Sequence, residues 1–128
     1  MSKVFLSYAA SDTSFAEALV RKLGTSGVSG WRDASDVSSG SAISAKIREA
    51  LQTSSAVVVL LSPEALLSHG VQFEVGAAEA LNKTIIPVVV GGENIQDSAP
   101  DILKQRQWVD ARNRSPDEIA DEIKRVLQ

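Results

Sequence analysis

The segment Ala56-Val57-Val58-Val59-Leu60-Leu61-Ser62 is an unbroken apolar run ending at a hydroxyl, and Gly70-Val71-Gln72-Phe73-Glu74-Val75-Gly76-Ala77-Ala78 follows shortly after it. A continuous Val/Leu run bounded by turn residues reads as a strand covered on both faces, which requires a parallel sheet flanked by helices. Ligands in open α/β sheets bind outside the carboxyl ends of the strands, so Ser62 and Glu74 fall where chemistry is expected.

Outward from this centre, strand and helix patterns alternate. Val4 to Tyr8 reads as a strand. Asp12 or Ser14 can cap the helix after it, with Glu17 as a capping-box partner and Phe15, Leu19 and Leu23 along one face. Gly24 reads as its stop. Val28 to Trp31 is a short strand that leads into the polar loop Arg32 to Ser41, and Ile43, Ile47, Ala50 and Leu51 then recur at helical spacing. A helix is expected over Val71 to Asn82 and an apolar strand over Thr84 to Val90, which with Val57 to Leu61 forms the sheet centre. Gly91 to Pro100 reads as a long loop, and Gln107 to Val109 as a short edge strand. Ser115-Pro116-Asp117-Glu118 combines an N-cap, a proline in the first turn and a glutamate at the third position, opening a helix that buries Ile119, Ile123 and Leu127. The expected fold is a flavodoxin-like three-layer α/β sandwich, with a five-stranded, mainly parallel sheet and helices on both faces.

Composition narrows the function classes. A chain of 128 residues, 44% hydrophobic, suits one domain with one packed core. It has no cysteine and a single histidine, His69, so no zinc cluster is expected. No apolar run approaches the ~20 residues of a membrane span, and no signal sequence is evident. A soluble, cytoplasmic domain is expected, with no membrane partner. A net charge of −3 with scattered basic residues argues against direct nucleic-acid binding. Arg112 and Arg114 read as a solvated loop. There is no Walker A motif and no GxGxxG after the first strand, so a nucleotide would enter as substrate rather than as a redox cofactor.

Three ordered segments carry a family resemblance: Val4-Phe5-Leu6-Ser7-Tyr8 with Asp12; Gly30-Trp31-Arg32-Asp33 leading to Val37 and Gly40; and Leu60-Leu61-Ser62-Pro63 with Glu74. Ile85-Ile86-Pro87-Val88 is a fourth, weaker match. Together they resemble a Toll/interleukin-1 receptor (TIR) domain of the bacterial type, here a single domain over 1–128 that could be cut from a longer multidomain protein. The resemblance implies cleavage of NAD+ between nicotinamide and ribose, by hydrolysis or cyclisation, with Glu74 as the catalytic carboxylate. It also implies an assembly loop containing Arg32, Asp36, Val37 and Gly40, which completes the site or holds it open. Self-association through TIR–TIR contacts, a sensor domain or partner protein, and a role in prokaryotic antiviral defence follow from the same resemblance. NAD+ is then substrate, with no cofactor and no metal.

The chemistry suits one carboxylate. Breaking the nicotinamide glycosidic bond builds positive charge on the ribose, which a fixed anion stabilises. The nicotinamide is already cationic and leaves as a neutral base, so no general acid is required. Near a helix start, the macrodipole is expected to favour Glu74 as an anion.

Ser7, Tyr8 and Ser62 end strands and could line the pocket, or could make ordinary turn hydrogen bonds. Trp31 could offer an aromatic wall or belong to the core. Asp33 and Asp36 could meet ligand ribose or a neighbouring domain, or lie in solvent. Glu79, on the same helix as Glu74, reads as solvated surface. Gly76 inside a helix points to close packing there, since glycine costs about 1 kcal/mol against alanine. Many TIR domains carry a tryptophan four residues before the glutamate, where this chain has Gly70. That departure leaves a non-catalytic interaction module as the alternative. A nucleoside deoxyribosyltransferase-like enzyme is a further one, because Glu74-Val75-Gly76-Ala77 and Ala80 to Pro87 also resemble that family.

Overall fold

The computed structural model describes residues 2–32, 41–104 and 106–127. Five parallel strands form one sheet: β1 (Ser2–Ser7), β2 (Val28–Arg32), β3 (Ala56–Leu61), β4 (Thr84–Val89) and β5 (Val109–Asp110), in the order β2-β1-β3-β4-β5. The chain moves outward in one direction from β1 to β2 and in the other from β3 onward, so the β1/β3 boundary is the topological switch point of a flavodoxin-like sheet. All six residues of β3 are buried.

Strand parity divides the core into two layers. Val4 and Leu6 of β1, with Val58, Leu60, Ile86 and Val88, pack against α1 (Thr13–Thr25) and α7 (Pro116–Leu127). Phe5, Val57, Val59, Leu61, Ile85 and Val89 face the other layer. That layer contains α2 (Ser41–Thr53), α3 (Pro63–Leu67), α4 (His69–Ala80), α5 (Ile95–Ser98) and α6 (Asp101–Lys104). Ser7 shares the parity of Phe5 and therefore points toward the α4 side.

Several expectations need correction. Gly24 does not stop α1, which continues to Thr25; the left-handed residue after it is Gly27, at φ +85°. Gly91 to Pro100 is not all loop, because α5 occupies Ile95–Ser98. β5 is shifted to Val109–Asp110, and its ladder with β4 begins at Val88, one residue beyond Pro87, which has no N–H to donate. Gly76 is exposed, and a Cβ there would meet nothing within 4 Å. It lines an apolar cavity of about 280 Å³ with Val71, Val75 and Leu103. The capping box of α7 forms as expected: the Glu118 N–H donates to Ser115 Oγ at 3.3 Å, and the Ser115 N–H donates to Glu118 Oε1 at 3.5 Å. Among the described residues no helix is long and apolar enough to cross a membrane.

Candidate active site

β1 and β3 end side by side at the switch point, β1 with Ser7 and β3 with Leu61 followed by Ser62. The chain then runs through α3 into α4. Ser62 caps α3 by accepting from the Ala65 N–H at 3.1 Å, and Ser68 caps α4 by accepting from the Val71 N–H at 3.2 Å. These two caps fix how α4 leaves the rim of the sheet.

On α4 the buried positions are Val71, Glu74, Val75 and Ala78, the i, i+3, i+4, i+7 stripe of a core-facing helix. A glutamate thus occupies an apolar position, while Phe73 beside it is 57% exposed. Glu74 itself is 2% exposed, and Ser7 is fully buried. The Ser7 hydroxyl donates to Glu74 Oε1 at 2.5 Å. That length lies at the short end for a hydrogen bond from a hydroxyl to an oxygen. Glu74 is the sixth residue of α4 and lies beyond the first turn, which carries no acidic residue. The macrodipole, felt mainly within a helix's first turn, is therefore weak at this position. The Ser7 hydroxyl is one contact that holds the carboxyl group in place.

A second polar pair spans the same switch point. Ser62, 3% exposed, donates its hydroxyl to Asp12 Oδ2 at 2.6 Å. Asp12 occupies the N-cap position of α1, yet its side chain caps nothing in that helix. Burial raises the Asp12 carboxyl above its ordinary value; the Ser62 hydrogen bond partly offsets this, and nearby Glu64 adds to the rise.

The remaining candidates are more dispersed. Tyr8, 6% exposed, packs in the α1/α7 layer, on the opposite side of the sheet from Ser7. Trp31 pairs with Phe5 across β2 and β1 and stacks on it, with ring centroids 5.0 Å apart and planes at 25°. That stack sits about 6–7 Å back along the strand from Ser7. Trp31 also lines a surface cavity of about 170 Å³ with Lys3, Glu49 and Ala50. Asp33, Asp36, Val37 and Gly40 lie outside the described residues, as does the side chain of Arg32. Glu79 is exposed and pairs with Arg106.

At the outer rim, Arg112 is not a freely solvated cation. Its Nε and Nη2 donate to the Asp110 carboxylate and its Nη1 to the Gly92 carbonyl at 3.0 Å, tying the loop after β4 to the loop after β5. The hydrogen bonds from Arg112 bring the Asp110 carboxyl down to about 2. Arg114 pairs with Glu122 at 2.9 Å.

A model of the TIR domain matches residues 4–127. This chain is a TIR domain. It resembles the TIR domain of the Toll-related receptor TRR-2 from Hydra magnipapillata, with a TM-score of 0.76 and 20% identity over 97% of this chain and 96% of that one. A TIR-STING receptor from C. gigas, solved in complex with 2',3'-cGAMP, gives a TM-score of 0.76 and 24% identity over 97% of this chain and 38% of the receptor. The CMP N-glycosidase BcmB of Clostridium botulinum gives 0.63 and 20% over 96% and 99%. At these identities the likenesses describe the fold. No curated protein matches the chain in sequence.

The Asp12–Ser62 pair and helix α3 are the features least visible in the sequence. Ser62-Pro63-Glu64 does carry the serine, proline and acidic residue that open α7 at Ser115. Nothing local announces that Asp12 turns away from its own helix.

Proposed function

We propose that this TIR domain cleaves NAD+ at the bond between nicotinamide and ribose, with Glu74 as the carboxylate that stabilises the ribosyl cation. The observation that carries this reading is the placement of Glu74. An ionisable residue occupies a core position of α4 at the switch point and accepts from Ser7 at 2.5 Å. Burying a carboxylate among valines is unfavourable for stability, and such a placement marks a site kept for chemistry. A preorganised anion in a low-dielectric crevice suits an oxocarbenium-like transition state. Membership of the TIR family and the fold shared with a CMP N-glycosidase support cleavage of an N-glycosidic bond.

At 2% exposure Glu74 cannot touch a ribose without rearrangement of the residues around it. In this reading the active form is an assembly of TIR domains in which neighbouring copies open the site, serving prokaryotic antiviral defence by consuming NAD+ or making a signal from it. The test is nicotinamide release measured across a wide range of protein concentration. Turnover per domain should rise steeply with concentration; turnover proportional to protein from the most dilute sample upward contradicts activation by assembly.

The closed state of Glu74 also favours a second reading, a TIR–TIR interaction module without turnover. An assembled wild-type sample that leaves NAD+ intact would select it.

A further inference from the structure

Besides the backbone ladder of β1 and β3, side-chain hydrogen bonds from Ser7 and from Ser62 span the switch point, and the proposed reaction uses the first. Ser7 to Glu74 joins the end of β1 to α4; Ser62 to Asp12 joins the end of β3 to the turn after β1. We propose that Asp12 is a positioning residue for the Ser7–Glu74 pair, acting through Ser62.

The geometry runs in both directions from the contact. On one side, Asp12 is placed by the 3-10 turn Ala10–Asp12, in which the Asp12 N–H donates to the Ala9 carbonyl at 2.8 Å, five residues after Ser7. On the other side, the Ser62 hydroxyl is committed twice. It donates to Asp12 and accepts from the first turn of α3. Helix α3 passes through a single residue, Ser68, into α4, where the Gln72 N–H donates to the Ser68 carbonyl at 3.1 Å. Ser62 is thus linked through α3 and the first turn of α4 to the turn that bears Glu74. Ser62 is 3% exposed, so water cannot readily replace the carboxylate as its acceptor.

The residue forgoes an alternative use. Asp12 closes the 3-10 turn that runs directly into α1, where an aspartate side chain often accepts from its own helix. Here the α1 N-terminus is left without that side-chain bond and the carboxylate reaches across the crevice instead. Burial raises the Asp12 carboxyl above its ordinary value, and the hydrogen bond from Ser62 opposes that rise.

The test uses Asp12→Ala, Asp12→Asn, Ser62→Ala and the double variant Asp12→Ala/Ser62→Ala, followed by amide hydrogen exchange and by nicotinamide release. The asparagine keeps an oxygen that can accept from Ser62. Asp12→Ala should speed exchange of the 71–75 amides, and Asp12→Asn should restore protection. The activity measurement rests on the NAD-cleaving reading. In it, Asp12→Ala should lower kcat about ten- to a hundredfold with KM little changed, because misplacement by about 1 Å can have that effect. The double variant should be no worse than the worse single one, as expected of residues acting as a unit. Exchange that rises only at 10–14 and 62–66, or an Asp12→Asn variant as impaired as Asp12→Ala, overturns the positioning role. A wild type that releases no nicotinamide overturns the NAD-cleaving reading instead, and the exchange result still decides the role of Asp12.

Discussion

Ser7 and Glu74, 67 positions apart in the chain, meet through a 2.5 Å hydrogen bond with both residues buried. Ser7 gets there by strand parity and Glu74 by helical period: one ends β1 facing the α4 layer, and the other takes a core position on α4. Replacing Ser7 by alanine leaves a buried carboxylate oxygen without this donor. The expected outcome is a loss of about 2 kcal/mol of stability, read from urea unfolding, because bonds to charged groups contribute roughly 1.5–3 kcal/mol. A Ser7→Ala variant as stable as wild type would mean that the contact does not hold the carboxylate.

Two aspartates make stability depend on pH in opposite senses. Asp110 is brought down to about 2 from an unfolded value of 3.8, so its stabilisation is present above 3.8 and is lost as pH falls toward 2. The Asp12 value is raised, so the folded state keeps that proton to higher pH than the unfolded chain does. Its contribution is greatest below 3.8 and declines as pH rises through the folded value. Unfolding midpoints from pH 2 to 7 should show Asp110→Asn flattening the acid limb, and Asp12→Asn removing the decline above pH 4. The same slopes in both variants as in wild type would contradict these assignments.

Gly76 offers a gain in stability. It is an exposed helical glycine, outside the positive-φ set of Gly27 and Gly92, with open space where a Cβ would stand. Gly76→Ala should therefore stabilise the domain by about 1 kcal/mol through helix propensity and reduced unfolded-state freedom. Destabilisation would show that the helix needs the glycine for close packing after all.

Trp31 has a structural role that can be measured apart from any role toward a ligand. It stacks on Phe5 and packs against the α2/α4 layer. Trp31→Ala should cost about 2–4 kcal/mol, near the range for truncating large aromatic core residues, reduced for partial exposure. Trp31→Phe should retain most of that. A loss of NAD+ turnover in Trp31→Phe without a loss of stability would instead assign the indole to the substrate.

Much of this was legible in the residues because the elements obey simple periods. The apolar run of β3 has no polar face, so it demanded cover on both sides. The carboxylate at Glu74 could be placed near the rim because strand, connection and helix follow in order. What local pattern could not give was depth and partnership. Glutamate is a good helix former anywhere on a helix surface, and only the packed sheet shows that Glu74 lies inward while Phe73 lies outward. Gly76 misled because a glycine within a helix points equally to close contact and to empty space. Asp12 carries a strong capping propensity that tertiary contact with Ser62 overrides.

The central claim is that Glu74 breaks the nicotinamide–ribose bond. The measurement is proton NMR of NAD+ incubated with the wild-type domain and with Glu74→Gln, both at high concentration under crowding, with assembly checked by light scattering. Glutamine can still accept from Ser7, so the fold should survive and its unfolding midpoint should match or exceed that of wild type. The expected result is free nicotinamide from wild type, with a rate at least a hundredfold lower in Glu74→Gln. Equal release by the two proteins, or intact NAD+ with an assembled wild type, would contradict it.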